Sequence, residues 1–341
     1  LDILAGLVNK SGGIDGRPLQ FVFHDDQSNP RVAVQLASAV LAEKPSVILG
    51  SSLVAMCRAI APLMKNGPVD YCLSPAVHPK PGSFVFSSGA SATDQSATVI
   101  RYYRLKGWTR IATLNNTDAT GQQNDRAVDE VVALPENKNL TLVAREHFNP
   151  TDLSVAAQIE RIKASGAQAI VAGVTGSPAA TVFRGMIQAG LNIPVAPTSG
   201  NEVFAQMEQW TSFLPKGLVM GSSVFPEHDG IWKLDPRVEE AQHQMYAALK
   251  AHGMKADNLV ATCWDAGLIV ISALKHLGLD ATPHQVADYI ANLSDFAGID
   301  GIYNFKKNPE RGLGPDSAIV VRYDAKTKSW VWLTKPGGAP L

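Results

Sequence analysis

The sequence predicts an α/β protein built from two doubly wound parallel-sheet lobes that are joined by three crossover segments. Short apolar runs alternate with amphipathic helical patterns along most of the chain, which is typical of parallel sheets. The 341 residues exceed what one hydrophobic core usually contains. Polar, turn-rich segments interrupt the alternation at three places. We therefore expect lobe 1 to contain residues 1–117 and 226–317, and lobe 2 to contain residues 118–225 and 318–341.

The first elements are predicted from capping and turn residues. Gly12 can end the opening helix, and Asn29 is a favourable N-cap with Pro30 at the first helical position. The alternation continues without interruption as far as residue 115. The expected elements are a helix at 1–10, a strand at 19–24, a helix from 30, a strand at 46–50, a helix at 53–65, strands at 69–73 and 84–88, a helix at 93–106 and a strand at 110–115.

The alternation of expected helices and strands resumes after a polar segment at 115–121, which we interpret as the first crossing between the lobes. Further crossings are expected at 226–230 and 306–315. The expected helices are at 122–132, 153–165, 178–189, 202–210, 236–252, 258–276 and 283–292. The expected strands are at 141–148, 169–173, 195–198, 218–225, 301–305, 318–323 and 329–333.

Composition excludes several partners. A net charge of −1 with 18% charged residues gives no general attraction to nucleic acid or anionic membranes, and basic patches with interleaved aromatics are missing. The apolar helix at 258–276 is interrupted by Asp265, Lys275 and His276, which favours a buried helix over a membrane span. We expect a small-molecule ligand and no nucleic-acid partner.

Motifs for cofactor chemistry and catalysis are absent from the sequence. It contains no GxGxxG after a strand, no GxxxxGK[ST], no GxSxG and no HExxH. His24, Asp25 and Asp26 are adjacent on an expected strand, so capping or loop roles are favoured over a metal site. We therefore expect no cofactor, no metal and no enzymatic activity.

Three cysteines, Cys57, Cys72 and Cys263, lack metal-ligand spacing. Free buried thiols are favoured. A Cys57–Cys72 bridge is an alternative that the spacing does not support.

The loop at 74–78 is the main candidate for ligand binding. It follows a strand, and ligands of open α/β sheets lie at the carboxyl ends of strands. Pro75 restricts the backbone, so the amides of Ala76, Val77 and His78 are expected to point outward and donate to an anion. Ser51 and Ser52 follow the preceding strand and should lie beside this loop, although a helix-capping role explains them equally. An ordinary strand-to-loop turn is the alternative for residues 74–78.

Four segments together carry a resemblance to a known family: SGGIDGRPL at 11–19, DDQSNP at 25–30, VILG at 47–50 and LSPA at 73–76. The chain resembles the type I periplasmic solute-binding proteins of ABC transporters, in particular the branched-chain amino acid receptors and an aromatic-acid-binding subgroup. The likeness covers almost the whole chain. It implies a monomer, periplasmic or lipid-anchored outside the cytoplasm, whose lobes close on a small carboxylate and deliver it to an ABC permease of the inner membrane.

One departure concerns the start of the chain. The family begins with a strand and a pocket loop, whereas this sequence starts midway through the helix that follows them and lacks an initiator Met, as a processed or truncated product would.

The resemblance implies that Ser51, Ser52, Ala76 and His78 hold the ligand carboxylate. His78 stands where the family usually has Thr.

Three further departures concern the rest of the ligand. Thr120 and Thr175 stand where the family has tyrosines, and Ser199 replaces the acid that pairs with the ligand ammonium. Burying an ammonium without a carboxylate partner costs several kcal/mol, comparable with the roughly 8 kcal/mol of a micromolar complex. We therefore expect an aromatic acid of the benzoate or hydroxycinnamate type. A branched-chain or other amino acid receptor and an intracellular ligand sensor of the same fold remain alternatives.

Aromatic walls for such a ligand are predicted from Phe225, Trp264 and Tyr303, with core packing as the alternative for Trp264. Asp118 could accept a phenolic hydroxyl. The acids that would restore amino acid binding are Asp118, Glu202, Glu227 and Asp265.

Overall fold

The computed structural model describes residues 1–228 and 230–341. The chain forms two compact units: unit 1 contains Leu1–Ser91 and Lys233–Gly314, and unit 2 contains Ala92–Trp232 and Pro315–Leu341. The chain therefore passes from one unit to the other three times, as predicted.

The first passage lies earlier than the sequence suggested. It follows Ser91, whereas the polar segment at 115–121 was expected to form it. The helix Ala92–Leu105 explains the difference, because its residues Val99, Ile100 and Tyr103 belong to the hydrophobic core of unit 2. The second and third passages, after Trp232 and Gly314, lie close to the expected positions.

Helices and strands alternate over most of the described chain. The helices are α1 (Asp2–Lys10), α2 (Pro30–Ala42), α3 (Val54–Ile60), α4 (Ala92–Leu105), α5 (Ala119–Val132), α6 (Ala156–Ala164), α7 (Ser177–Gln188), α8 (Phe204–Trp210), α9 (Pro236–Lys250), α10 (Asn258–Leu277) and α11 (Pro283–Asn292). The strands are β1 (Val47–Leu49), β2 (Val69–Cys72), β3 (Val85–Ser87), β4 (Arg110–Asn116), β5 (Thr141–Phe148), β6 (Ala169–Ala172), β7 (Val195–Pro197), β8 (Met220–Ser223), β9 (Ser294–Gly298), β10 (Gly301–Asn304), β11 (Ala318–Asp324) and β12 (Ser329–Trp332). The predicted cap of α2 is confirmed, since the Asn29 side chain accepts a hydrogen bond from the Arg31 amide.

Unit 1 contains a parallel sheet in the order β1-β2-β3. Side chains alternate across a strand, so Val69 and Tyr71 of β2 face the core formed with α10 and α11, while Asp70 and Cys72 face the opposite side. On that side Cys72 forms a disulfide with Cys57 of α3. The expectation of free thiols at these two positions is therefore wrong: the fold brings their Cα atoms to 6.0 Å, within bridging distance.

The strand predicted at residues 19–24 does not form. Asn9 of α1 binds both backbone groups of Leu19, but no strand pairs with residues 20–24 within the described parts of the chain. Val22 and Phe23 are 73% and 62% exposed. An apolar pattern alone is not sufficient, because a strand also requires a neighbour for its backbone hydrogen bonds.

One strand of unit 1, β9, was not predicted from the sequence. β9 pairs with β10 in an antiparallel hairpin whose turn contains Ile299 and Asp300. Its sequence, Ser-Asp-Phe-Ala-Gly, contains no β-branched residue, so local propensity gave no signal for it.

Unit 2 contains a parallel sheet in the order β5-β4-β6-β7. Because β5 and β6 flank β4 on opposite sides, the carboxyl ends of β4 and β6 form a topological switch point, the usual position of ligands in such sheets. A second, antiparallel sheet has the order β12-β11-β8.

Helix α10 is long and apolar enough to cross a membrane by length and composition alone. It instead contributes Ala266, Ile269, Val270 and Ala273 to the hydrophobic core of unit 1. The predicted role as a buried helix is confirmed by these contacts.

Candidate functional site

In unit 1, the loops after β1 and β2 lie side by side, as the sequence suggested. The amide of Leu73 donates to the carbonyl of Ser51 at 3.2 Å. The Ser51 hydroxyl accepts a hydrogen bond from the Leu53 amide at 3.3 Å, and Ser52 is exposed. Ser52 therefore has the more accessible hydroxyl of the two.

The loop at 74–78 is held in place by hydrogen bonds to the carbonyl of its first residue, Ser74. The carbonyl of Ser74 accepts hydrogen bonds from the Ser87 hydroxyl at 2.9 Å and from the Val77 amide at 3.3 Å. The Val77 side chain is buried, Ala76 is half-buried and His78 is exposed. Of the three amides predicted to point outward, that of Val77 is directed back into the loop because it closes this turn.

Arg311 is a residue of this region that sequence reasoning missed. Its guanidinium is buried and donates to the carbonyls of Pro75 at 3.2 Å and Val77 at 2.5 Å. It also donates to the carbonyls of Ser88 and Gly89, both at 3.1 Å. The sequence offered no signal, because more than 220 residues separate Arg311 from these partners.

In unit 2, Asp118 acts as the N-cap of α5. One carboxylate oxygen accepts from the amides of Thr120 at 2.8 Å and Gly121 at 3.2 Å. The other accepts from the side-chain amide of Asn116 at 3.2 Å. The Asp118 carboxylate is thus already engaged by three donors of the protein, and the Thr120 side chain is half-buried beside it.

The loops after β6 and β7 are tied together. The hydroxyls of Thr175 and Thr198 are 2.6 Å apart. The side chain of Asn201 accepts from the Gly176 amide and donates to the Val174 carbonyl, both at 2.8 Å. Asn201 is a second residue without a sequence signal, and it holds Thr175 at the carboxyl end of β6.

Two predicted unit 2 positions are inaccessible or nearly so. Ser199 is 3% exposed and Glu202 is fully buried. Thr175, which is half-buried, is therefore the more accessible hydroxyl at this edge of the sheet.

The three candidate aromatic walls lie in packed surroundings. The Phe225 side chain is fully buried in unit 2. Trp264 of α10 lines an apolar pocket of unit 1 together with Leu1, Leu4 and Met254. Tyr303 is fully buried in the unit 1 core, so its expected role as a ligand wall is replaced by packing and by a hydrogen bond to Asp265.

Asp265 is a buried structural carboxylate. It accepts hydrogen bonds from the amides of Ile299 at 2.8 Å and Asp300 at 3.0 Å, and from the Tyr303 hydroxyl at 2.9 Å. Burial raises the pKa of Asp265 to about 6, and these three hydrogen bonds oppose the rise. Asp265 therefore organises the β9–β10 turn.

Glu227, another of the acids predicted to restore amino acid binding, is exposed.

Residues 1–328 match the protein family described as "Periplasmic binding protein". The chain belongs to this family. Its members are substrate-binding receptors and not enzymes, and its ABC transporter members bind small molecules and work with permeases. No curated protein matches this periplasmic binding protein in sequence.

Solved structures of type I periplasmic binding proteins share the fold. An extracellular ligand-binding receptor from Rhodopseudomonas palustris HaA2 is 18% identical, with a TM-score of 0.81 over 97% of this chain and 95% of that one. The periplasmic binding protein type 1 from Bordetella pertussis Tohama I is 20% identical, with a TM-score of 0.80 over 100% of this chain and 93% of that one. An ABC transporter substrate-binding protein from Desulfitobacterium hafniense, in complex with Leu, is 18% identical, with a TM-score of 0.72 over 97% and 93% of the two chains.

Proposed function

We propose that this periplasmic binding protein is the extracytoplasmic receptor of an ABC importer and binds a small carboxylate that carries no ammonium group. An aromatic acid of the benzoate or hydroxycinnamate type fits best. The observation that carries this proposal is the low availability of two unit 2 carboxylates to a ligand. Asp118 already accepts three hydrogen bonds, and Glu202 is fully buried. Three of the about four acceptor positions of the Asp118 carboxylate are therefore occupied, and Glu202 is not accessible from the surface, which supports a ligand without an ammonium group.

Two further positions of unit 2 also support a ligand without an ammonium group. Thr175 and Ser199 stand where an amino acid receptor of the family has a tyrosine and an acid, and the Thr175 hydroxyl is the more accessible of the two. Hydroxyl groups can bind a phenol or a second carboxylate oxygen, but they do not neutralise a positive charge.

In unit 1, we assign the ligand carboxylate to the loops after β1 and β2. The amides of Ala76 and His78 and the hydroxyl of Ser52 are the donors, and the His78 imidazole adds a further donor. Donors directed at an ionised carboxylate form the stronger, charge-assisted class of hydrogen bond. The small side chain at Ala76 lets a ligand approach the backbone.

The Cys57–Cys72 disulfide supports a location outside the cytoplasm, since disulfides persist in oxidising compartments. We propose a monomeric receptor that delivers its ligand to an inner-membrane permease. A cytoplasmic ligand sensor of the same fold would keep these thiols reduced. Fractionation of cells that express the full-length gene separates these two assignments.

A second candidate ligand class is the amino acids. The Desulfitobacterium structure was obtained in complex with Leu, which favours this class for a protein of the same fold. Glu227, which is exposed, is the acid that remains accessible to an ammonium in this case.

A thermal-shift screen tests the proposal with benzoates, hydroxycinnamates, aliphatic acids and amino acids side by side. A ligand at about 100 times its Kd adds about 2.7 kcal/mol to the free energy of unfolding, which raises Tm by a few degrees. We expect shifts with aromatic acids alone. A shift with leucine or valine instead would replace the aromatic-acid assignment with amino acid binding.

A further inference from the structure

We propose that Arg311 is a positioning residue for ligand binding: its guanidinium orients the peptide groups of the loop at 74–78 so that the amides of Ala76 and His78 face the ligand carboxylate. This inference rests on the proposed function, because it explains how the anion-binding loop obtains its geometry.

The argument begins with the geometry of the peptide group. In a trans peptide, the C=O and N–H bonds point in opposite directions. The Pro75 carbonyl belongs to the same peptide group as the Ala76 amide, and the Val77 carbonyl to the same group as the His78 amide. Arg311 binds both carbonyls, at 3.2 Å and 2.5 Å. The two amides are therefore directed away from Arg311.

The intervening amide behaves differently. Val77 donates to the Ser74 carbonyl within the loop. The loop thus alternates: the amides of Ala76 and His78 are turned outward by Arg311, and the amide of Val77 is turned inward. Two outward N–H groups separated by one residue suit the two oxygens of a carboxylate.

Arg311 also joins this loop to the segment after β3. Its other terminal nitrogen donates to the carbonyls of Ser88 and Gly89, both at 3.1 Å. A planar guanidinium with five donors can hold several carbonyls in a fixed arrangement, whereas a lysine ammonium is a point charge with three donors. The loop after β2 is therefore fixed relative to the end of β3.

The positive charge of Arg311 also strengthens the amides of Ala76 and His78 as hydrogen-bond donors. Arg311 is 7% exposed, so its positive charge acts on the adjacent peptide groups with little screening by water. A cation at the carbonyl end polarises each peptide group and strengthens the N–H at the other end as a donor. Preorganised donors of this kind do not have to reorient when the anion arrives.

The test combines amide hydrogen exchange of the ligand-free protein with benzoate and hydroxycinnamate affinities. The variants are Arg311→Lys, which keeps the charge but not the planar fork, and Arg311→Met. In both, we expect exchange of the Val77 amide, which is hydrogen-bonded to the Ser74 carbonyl within the loop, to rise at least tenfold, and ligand affinity to fall at least tenfold. Exchange in β4 of unit 2 should not change.

Arg110→Met is the matched control. Arg110 also donates to two backbone carbonyls, those of Ser165 and Gly166, but in unit 2 and at the amino end of β4. We expect this variant to retain the wild-type affinity. If Arg110→Met weakens binding as much as Arg311→Met does, the effect is general and the positioning role of Arg311 is refuted.

Two further outcomes would overturn the proposal. One is unchanged exchange of the Val77 amide in a folded Arg311 variant. The other is exchange that rises equally in β2 and β3, which would show a purely structural role. A measurement on the wild-type protein is independent of the variants: a bound carboxylate should protect Ala76 and His78 more than Val77, and the reverse order would also refute the proposal.

The same experiment separates this inference from the proposed function. If the wild-type protein binds no carboxylate, the ligand assignment fails. The local effect of Arg311 on the exchange of the Val77 amide is then still measured in the ligand-free protein.

Discussion

The hydroxyl of Tyr303 donates a 2.9 Å hydrogen bond to the carboxylate of Asp265, and both side chains are fully buried in unit 1. The amides of Ile299 and Asp300 donate to the same carboxylate, so one acid of α10 organises the turn between β9 and β10. Gly298 lies directly against this group: a Cβ there would come within 2.4 Å of an Asp265 oxygen. The hairpin is therefore built around the carboxylate.

Removing the Tyr303 hydroxyl should destabilise unit 1. We expect Tyr303→Phe to lower the free energy of unfolding by about 1.5–3 kcal/mol, the usual value for a hydrogen bond to a charged group. The control is Tyr289→Phe, whose hydroxyl pairs with the neutral Ser272 hydroxyl at 2.8 Å and should cost about 1 kcal/mol. Urea unfolding of each variant measures both values. Equal losses of unfolding free energy in the two variants would show that the charge of Asp265 does not strengthen its hydrogen bond with Tyr303.

Asp70 predicts a pH dependence of stability. Its carboxylate is buried beside Gly50, and neither oxygen has a hydrogen-bond partner within the described residues. Burial raises the pKa of Asp70 from 3.8 to about 7. The folded state therefore binds this proton more tightly than the unfolded state does. The stabilisation is fully present below about pH 4 and is lost as the pH rises to about 7.

Asp70→Asn removes this dependence because the amide stays neutral. Between about pH 5 and pH 8, the variant should gain about 2–3 kcal/mol relative to the wild type, from about 1.4 kcal/mol per pH unit in that window. Denaturant midpoints measured across the pH range check this. Asp280→Asn, at an exposed position of the same unit, is the control and should follow the wild-type curve. A constant difference between Asp70→Asn and the wild type would contradict the prediction.

The Cys57–Cys72 disulfide should stabilise the link between α3 and β2. A bridge that spans 15 residues contributes about 3 kcal/mol in the chain-entropy account, so the variant Cys57→Ala/Cys72→Ala should lose about that amount. Cys263→Ala is the control, because Cys263 is a free thiol. Thiol titration of the unfolded protein should detect one free thiol before reduction and three after it. Detecting three before reduction would rule out the bridge.

His78→Ala tests the ligand assignment in unit 1. We expect the affinity for an aromatic acid to fall at least tenfold, which corresponds to about 1.4 kcal/mol, because an exposed donor beside the carboxylate is lost. Titration calorimetry measures the effect. The control is His243→Ala on the exposed side of α9, which should bind like the wild type. An unchanged affinity in His78→Ala would remove this side chain from the site.

The α/β class, the number of passages between the units and most helices could be predicted from the sequence alone. It also placed the loops after β1 and β2 next to each other, as the hydrogen bond between Leu73 and Ser51 shows. Capping is equally local: Asn29 and Pro30 start α2 as predicted. These features follow from periodicity and from residues a few positions apart, so they can be read from neighbouring letters.

Features that depend on partners far apart in the sequence could be seen only in the folded protein. The predicted strand at 19–24 lacks a neighbour, β9 forms because β10 lies beside it, and the Cys57–Cys72 bridge forms because α3 packs on β2. Arg311 finds its carbonyls across more than 220 residues. Such contacts form only when the chain has folded, because they bring together groups whose separation in sequence carries no local signal.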